Sequence, residues 1–524
     1  MRLQTLIVGS LFLLLAGCKI SHSDVKDGFK ESEQVLRVAA AEEPTSFDPR
    51  LIRDLRPVTV MHLLYEGLMR INSHGKTENA LAESVSHSSD FKTYIFKLRK
   101  AQWSNGDPVT AQDFVETWRT VLDPKFPAPN AYQFYVLKNA KKVKEGKVPL
   151  EELGVKAEDP ATLIVELESP TPYFLDLVST HFYYPVHSQS THEKIISNGP
   201  FILRSQKQNN ELLFAKNLKY WDAQEVHLDG IALYVLDDQT ALRMYESGEL
   251  DWAGSPMSTL PQDAIASLRH RHKLMVAPAA GTHWFRFNTE KEPFNNLQMR
   301  KAFTLSLNRH HIVEFVTKGY QKSAEAIVPP NFGLTKNSYF DDNAIPTAWY
   351  AFQEALEDMK ISKDDLPEIV LSYAASDRNS KIAQAVQQQW KTALGIDVKL
   401  ESMESKVFFD RLAQKNFQLS SGSWYADFRD PISFLDVFKS KNNSTNNTQW
   451  ENEKYIELLN KSNKESDPLK RFHILDEAQG VLMNEYPVAP LFFGSFNYVK
   501  RDDLLGVYFS DLGYLDFKHA FFSR

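Results

Sequence analysis

A single carboxylate, Asp427, lies in a stretch of large aromatic side chains, SSGSWYADFRDPISF, which runs from Ser420 to Phe434. A carboxylate that is removed from water costs free energy unless a cation or hydrogen-bond donors compensate it. Its partner could be Arg429, two residues later, or the first amides of a helix that begins near Pro431. A cation carried by a ligand is the third possibility. The residues alone favour one of the two internal partners.

The reactive groups of hydrolases are missing from the sequence. It contains neither G-x-S-x-G nor H-E-x-x-H, and its one cysteine lies in an N-terminal apolar run, so no nucleophile or base is identified. Histidines occur in loose groups without the spacing of metal ligands, which favours exposed or helix-capping roles. These groups are His181, His187 and His192; His270 and His272; and His310 and His311. We therefore predict neither catalysis nor a cofactor nor a bound metal.

The N-terminus has the pattern of a secretory signal. Arg2 precedes an apolar run from Leu6 to Leu15, which is too short to span a membrane and is typical of a cleaved signal peptide. The ending LLAGC resembles the lipobox of bacterial lipoproteins, which implies residues 1–18 as signal peptide and Cys18 as the lipidated, palmitate-bearing residue. Residues 19–34 are then a polar tether. The alternative is an ordinary signal peptide with a free cysteine.

Length and composition indicate a soluble body of more than one lobe. The 524 residues are 43% hydrophobic and 24% charged, with a net charge of −7, and one hydrophobic core rarely serves so long a chain. Acids and bases alternate without a basic block, which argues against nucleic-acid binding. Nine tryptophans and twenty tyrosines exceed what a core needs and favour recognition surfaces.

Helix and strand patterns alternate along the sequence, which predicts an α/β protein. Thr110 caps a predicted helix that ends before Pro124, and residues 379–395 form a second helix between two strand patterns, EIVLSYAA and IDVKLES. That order predicts a βαβ unit. A long helix is predicted from Met299 through Val316, and buried strands at LRVAAA, IALYVL and APLFFGSFNYV.

Seven stretches together resemble the oligopeptide-binding and dipeptide-binding receptors of bacterial ABC importers. They follow one another in matching order from about Leu36 to about Lys500. They are PTSFDP, YEGLMR, WSNGDPVTAQDFVETWR, SNGPF with NLKYWD, SGELDW, FNTEKEPFNNLQMRKAFTLSLNRHHIV, and the aromatic stretch around Asp427. The resemblance implies a monomeric receptor that performs no chemistry, binds an oligopeptide and delivers it to ABC transporter permease subunits. Its place would be the periplasmic or cell-surface face of a bacterial membrane.

The resemblance also implies an architecture, a two-lobed periplasmic-binding-protein fold of α/β class with hinge strands and an additional inserted domain. Residues 35–57, 181–281 and 496–524 would form lobe I. Residues 58–180 would form the inserted domain, and residues 282–495 lobe II.

Within that family the motif W-x-A-D supplies a carboxylate for the ligand's terminal ammonium. Trp424, Ala426 and Asp427 match this motif, with Tyr425 at the variable place. The residues alone favoured an internal partner for Asp427, whereas the resemblance implies that Asp427 binds the ligand. Asp430 is expected to be a turn or cap residue. Candidates for further contacts, with core or hinge packing as the alternative, are Glu43, Ser46, Tyr132, Trp284 and Phe285.

The chain departs from the family where basic residues fix peptide length. Ser421 and Asn379 occupy the two positions, and neither is a cation. Arg378 and Arg411 lie next to them and could take over, although solvated surface charges are the alternative reading. The ligand could therefore be an ordinary peptide, a peptidoglycan-derived peptide or a metal chelate, and an adhesin or chaperone on the same fold would look the same.

Overall fold

The computed structural model of the protein describes residues 34–52 and 57–523. The predicted signal peptide, Cys18 and nearly all of the predicted tether lie outside the described residues. No helix within the described ranges is long and apolar enough to span a bilayer.

The helices of the described residues are mostly short and are distributed along the whole chain. They are α1 (Val58–Leu64), α2 (Ala111–Leu122), α3 (Ala140–Lys144), α4 (Phe174–Leu177), α5 (Asp238–Glu246), α6 (Ile265–His270), α7 (Leu297–Leu305), α8 (Arg309–His311), α9 (Ile345–Met359), α10 (Asp377–Leu394), α11 (Ser405–Ala413), α12 (Ile432–Leu435), α13 (Glu453–Ser462) and α14 (Pro468–Glu485).

The strands alternate with these helices. They are β1 (Val35–Ala40), β2 (Met69–Ile71), β3 (Thr77–Asn79), β4 (Ala82–His87), β5 (Thr93–Leu98), β6 (Val155–Asp159), β7 (Thr162–Glu166), β8 (Phe201–Lys207), β9 (Glu211–Lys216), β10 (Gly230–Val235), β11 (Trp252–Gly254), β12 (Met275–Phe287), β13 (Lys322–Ser323), β14 (Ile369–Ala374), β15 (Val398–Met403), β16 (Leu419–Tyr425), β17 (Val488–Lys500), β18 (Leu504–Leu505), β19 (Tyr508–Phe509), β20 (Leu515–Asp516) and β21 (Phe521–Phe522).

One mixed sheet runs through the molecule in the order β15-β14-β16-β12-β17-β11-β1-β10-β9-β8, with β13 paired to β17. Its two middle strands, β12 and β17, are each 13 residues long and antiparallel to each other. The second half of β12 pairs with β16, and the end of β17 pairs with β11. These two strands therefore join the two halves of the sheet, and the mixed sheet confirms the α/β class.

The pairing of β12 with β17 is interrupted at the middle, between Pro278 and Thr282. There the backbone of Ala280 turns to other partners, since its N–H donates to Asp511 O at 2.7 Å and its carbonyl accepts from Ala426 N at 2.8 Å. The Tyr425 ring fills the space beside Gly281, where an added Cβ would lie 2.4 Å from the ring. The junction is therefore packed tightly on one side and joined to the segment that carries Asp427.

A separate four-stranded antiparallel sheet, β4-β5-β7-β6, forms with α2 a compact unit within residues 82–166. Helix α2 begins as predicted, because Thr110 and Asp113 form a reciprocal capping box. Its apolar face carries Phe114 and Trp118, both fully buried, and the Trp118 indole donates to Tyr183 O at 3.1 Å.

Two element predictions have opposite outcomes. The βαβ unit is confirmed: α10 lies between the parallel strands β14 and β15, and Gly395 ends the helix in the left-handed region at φ +66°. The single helix from Met299 through Val316 is wrong. Helix α7 ends at Leu305, and Asn308 caps a new helix by accepting from His311 N at 2.8 Å.

Candidate ligand-binding site

Asp427 lies just beyond the end of β16, in the turn that leads to α12. Its backbone N–H donates to Ser433 Oγ at 3.1 Å, and the preceding residue is held by the hydrogen bond from Ala426 N to Ala280 O. The following Phe428 ring stacks on Tyr173 at 5.2 Å between centroids. Backbone and packing contacts on both sides thus fix the main chain of Asp427 in place.

Neither internal partner considered for Asp427 contacts it. The Arg429 guanidinium donates to Gly75 O and lies 3.6 Å from Asp511. The turn-and-cap role belongs to Asp430, whose Oδ1 accepts from Ile432 N at 2.9 Å, as predicted. Across residues 34–52 and 57–523, no Lys, Arg or His nitrogen lies within 4.0 Å of the Asp427 carboxylate.

The electrostatics of Asp427 follow from this isolation. Burial raises the pKa of Asp427 to about 6, and the polar side chains of the neighbouring Gln133 and Tyr132 oppose the rise. A carboxylate with a pKa near 6 is largely ionised at neutral pH, and Asp427 is only partly exposed to water and lies within 4.0 Å of no cation of the described chain. It is therefore a site where a ligand cation would be stabilised.

A cavity of about 190 Å³ opens at the carboxyl ends of β14 and β16. These parallel strands pair only at Leu371 with Leu419 and Ser372 with Ser420, and then separate. Crevices beyond the carboxyl ends of parallel strands are the usual ligand sites of open α/β sheets. Four predicted residues line this cavity, namely Trp284, Phe285, Asn379 and Ser421.

The two positions that differ from the family's basic residues are both at this cavity. Asn379 lies in the first turn of α10, where its side-chain amide donates to Ala374 O at 2.8 Å. Ser421 projects from β16, opposite Phe285 of β12. The lining is otherwise aromatic and aliphatic, with Tyr373, Phe408 and Phe492 among its members.

Comparisons with known proteins assign the chain to a family. The model described as bacterial extracellular solute-binding proteins, family 5 middle, matches residues 76–446. The chain belongs to this family. It is 39% identical over 529 residues to the oligopeptide-binding protein OppA of Bacillus subtilis, with 97% of each chain covered.

Solved structures of the family share the fold. The complex of Haemophilus influenzae OppA with the peptide RPPGFSPFR superposes with a TM-score of 0.76 at 28% identity, covering 94% of this chain and all of that one. The Escherichia coli murein tripeptide-binding protein MppA gives a TM-score of 0.77 at 26% identity, covering 94% and 99%. The predicted periplasmic-binding-protein fold is confirmed.

Of the two arginines predicted near the family's clamp positions, one is already paired. Arg411 donates to Glu401 of the neighbouring strand β15 in a partly exposed ion pair. Arg378 is exposed at the start of α10, with its guanidinium 5.4 Å from the centre of the Phe492 ring. Burial, with Arg378 nearby, lowers the pKa of His283 to about 3. That imidazole is therefore neutral at physiological pH.

The other predicted residues divide between core, cleft and loop. Trp284 and Phe285 are almost fully buried, packed near Phe438 and Trp390 respectively. Tyr132 keeps 46% of its surface exposed while its hydroxyl neighbours Asp427. Trp424 packs against the main core, and the Tyr425 hydroxyl lies 3.0 Å from His283 Nε2.

Glu43 and Ser46 shape their own loop. The Glu43 carboxylate accepts from Asn209 N at 2.6 Å and from the Gln206 side chain, so it ties the loop to the β8–β9 hairpin. Ser46 Oγ accepts from Asp48 N at 3.0 Å. These contacts are structural, and they leave the prediction of ligand contacts by Glu43 and Ser46 without support from geometry.

Sequence reasoning missed two residues at the site. Gln133 neighbours the Asp427 carboxylate from the four-stranded unit, and Arg286 lines the cavity beside Ser421. The signal for Arg286 was present, because a lone arginine interrupts the aromatic strand THWFRF. Within the described residues no three His, Cys, Asp or Glu side chains gather as a metal site requires.

Proposed function

We propose that the protein is the substrate-binding component of an ABC importer, which captures oligopeptides between its lobes and passes them to membrane permease subunits. The observation that carries this proposal is the partly buried Asp427 carboxylate, which has no Lys, Arg or His nitrogen of residues 34–52 and 57–523 within 4.0 Å. A free peptide brings one obligatory cation, its terminal ammonium, and a carboxylate in a closed cleft is the acceptor that this group needs.

The proposed division of the chain keeps the boundaries predicted from the sequence. Residues 35–57, 181–281 and 496–524 form lobe I, residues 58–180 the inserted domain and residues 282–495 lobe II. The two long strands β12 and β17 support this division, since they alone connect the two halves of the large sheet in the described chain. Rotation about them would open and close the cleft.

A receptor for peptidoglycan-derived peptides is the second candidate. It is favoured by Ser421 and Asn379, which line the cavity at positions where length-selective relatives carry cations. The similarity to a murein tripeptide-binding protein is in keeping with it. Both candidates use the same ammonium site, and they differ in what lies at the far end of the ligand.

The test is titration of the purified protein with di- to hexapeptides and with a murein tripeptide. Peptide at a hundred times its Kd should raise the free energy of unfolding by about 2.7 kcal/mol, and small-angle scattering should show a smaller radius of gyration as the lobes close. A mixture of the constituent free amino acids is the matched control. Unchanged stability and radius with every peptide would contradict the proposal.

We also propose that the mature protein is anchored through a lipid on Cys18. The apolar run that precedes this residue and the absence of any other cysteine support it. A single acyl chain binds membranes only weakly, whereas a diacylated cysteine gives lasting attachment. Cys18→Ser should abolish incorporation of labelled palmitate and leave an unanchored or unprocessed precursor. Equal labelling of the variant and the parent would refute the anchor.

A further inference from the structure

Arg286 occupies an unusual place for a charged side chain. It belongs to β12, between Ser420 of β16 on one side and Val488 of β17 on the other. Its guanidinium lies over Gly422, where an added Cβ would be 2.3 Å from Nη2 and 2.8 Å from Cζ. Such distances exclude any larger residue at position 422 unless the arginine moves. The glycine thus leaves the space that this guanidinium fills.

The charge of Arg286 has no counterion in the described chain. No Asp or Glu oxygen of residues 34–52 and 57–523 lies within 4.0 Å of it. Its side-chain hydrogen bond goes from Nη1 to the amide oxygen of Asn447, at 3.3 Å. Burial lowers the pKa of Arg286 to about 10, so the group is still cationic at neutral pH.

Arg286 is partly buried, and the fully buried arginines of the described residues are compensated. Arg471 forms a forked pair with Asp430, and Arg309 contacts Asp342 at 3.0 Å. Arg300 donates to the carbonyls of Phe294 and Glu485. A guanidinium offers five donors, and a partly buried cation that uses few of them on the protein has donors left for a ligand acceptor.

The cavity at the carboxyl ends of β14 and β16 has room for a ligand group that accepts hydrogen bonds from Arg286. Arg286 lines it together with Ser421 and Asn379. We propose that Arg286 binds a carboxylate of the captured peptide and so makes the protein selective for ligands that carry an acidic group at this depth of the cleft. The inference rests on the proposed function, because it assumes a peptide held by Asp427 at its amino end.

The separation of the two charges indicates which carboxylate fits. Gly422, beneath the guanidinium, and Asp427 are five positions apart, which is at most about 17 Å at about 3.4 Å per residue of extended chain. An extended peptide of about four or five residues spans that length. The carboxylate is therefore the free carboxyl terminus of a peptide of that length, or an acidic side chain at the same depth in a longer one.

The experiment measures Kd by calorimetry for three pentapeptides with free amino termini, one with a free carboxyl terminus, one amidated there, and one amidated with glutamate at position 4. The parent should bind both acidic peptides about tenfold to a hundredfold more tightly than the neutral one. Arg286→Gln should bind all three within about threefold of one another, and Arg286→Lys should keep part of the preference. If only one acidic peptide is preferred, it identifies the source of the carboxylate.

Arg271→Gln, which removes an exposed arginine paired with Glu246, is the matched control and should keep the parent's preference. The preference is measured first in the parent, so it does not depend on how the variants fold. If Arg378→Gln loses the preference and Arg286→Gln keeps it, the assignment to Arg286 is overturned. Equal affinity of the parent for all three peptides overturns it too, while leaving peptide capture intact. No binding of any peptide by the parent overturns the proposed function itself.

Discussion

Asp427→Asn is expected to weaken binding of a peptide with a free amino terminus by about 2 to 5 kcal/mol, which is about thirtyfold to several thousandfold. The loss is large because the ammonium would remain buried without a partner, and a stranded buried charge costs more than the pair contributed. Isothermal titration calorimetry measures it directly. Asp397→Asn, which removes an exposed carboxylate paired with Lys391, is the matched control and should bind as the parent does.

A thermodynamic cycle identifies the ammonium as the partner. N-acetylation of the peptide should weaken binding to the parent about as much as Asp427→Asn does, and should weaken binding to the variant little further, because the two changes remove the same interaction. Losses that simply add would mean that Asp427 and the ammonium do not meet.

The pH dependence supplies an independent readout of the same residue. The pKa of Asp427 is raised to about 6 in the ligand-free protein, so affinity should fall as the pH drops through that value and the carboxylate gains a proton. At the other end, the peptide ammonium loses its proton above about pH 8. The acidic limb should be missing from Asp427→Asn.

The raised pKa of Asp427 also makes the stability of the ligand-free protein depend on pH. Folded ligand-free protein holds the Asp427 proton more tightly than the unfolded chain does, so this residue favours folding most at low pH and loses that contribution as the pH rises through about 6. Thermal unfolding of ligand-free Asp427→Asn at pH 8 should therefore occur at or above the temperature of the parent. Loss of affinity without loss of stability separates a binding role from a structural one.

Asp430→Ala is expected to lower the free energy of unfolding by about 3 to 5 kcal/mol. Asp430 and Arg471 form a forked ion pair, with oxygen–nitrogen distances of 2.6 and 2.8 Å, and their side chains are only 7% and 6% exposed. Removal of the carboxylate leaves the Arg471 charge buried without a counterion. Urea denaturation followed by tryptophan fluorescence measures the loss.

Two further variants decide whether the ion pair is the cause. Asp430→Ala combined with Arg471→Met removes both charges and should recover part of the stability, since no uncompensated charge remains. Glu401→Gln breaks the partly exposed pair with Arg411 and should cost about 1 kcal/mol or less. A double variant no more stable than Asp430→Ala alone would assign the loss to the Asp430 cap of Ile432 instead.

Local signals predicted local structure well. The capping box at Thr110 and the left-handed Gly395 each act within a few residues of chain, and both elements formed where expected. The predicted helix from Met299 failed for a tertiary reason. Arg309 is fully buried because its guanidinium donates to Pro490 O at 2.6 Å and to Asp342, and an apolar pattern alone contains no trace of those distant partners.

The candidate site was predictable only in part, for the same reason. The aromatic setting of Asp427 marked it as a candidate, and the family motif implied its role. Whether Arg411 was free depended on Glu401, and whether Arg286 faced a cavity depended on the point where β14 and β16 separate. Strand alternation assigns side chains to two faces, but it cannot tell which face borders an opening.

The interrupted pairing at the centre of β12 has a consequence for affinity itself. Ala280 holds the backbone next to Asp427 through one hydrogen bond, and the Tyr425 ring rests against Gly281 and close to Gly494. In the proposed closure, rotation of the lobes would therefore move the Asp427 carboxylate with the backbone of β12. The observed affinity is the intrinsic one multiplied by the fraction of molecules in the competent conformation. A methyl group added at Gly281 would lie 2.4 Å from the Tyr425 ring, and one added at Gly494 would lie 3.3 Å from its hydroxyl. We expect either change to shift that conformational equilibrium and to change the affinity for every peptide by the same factor.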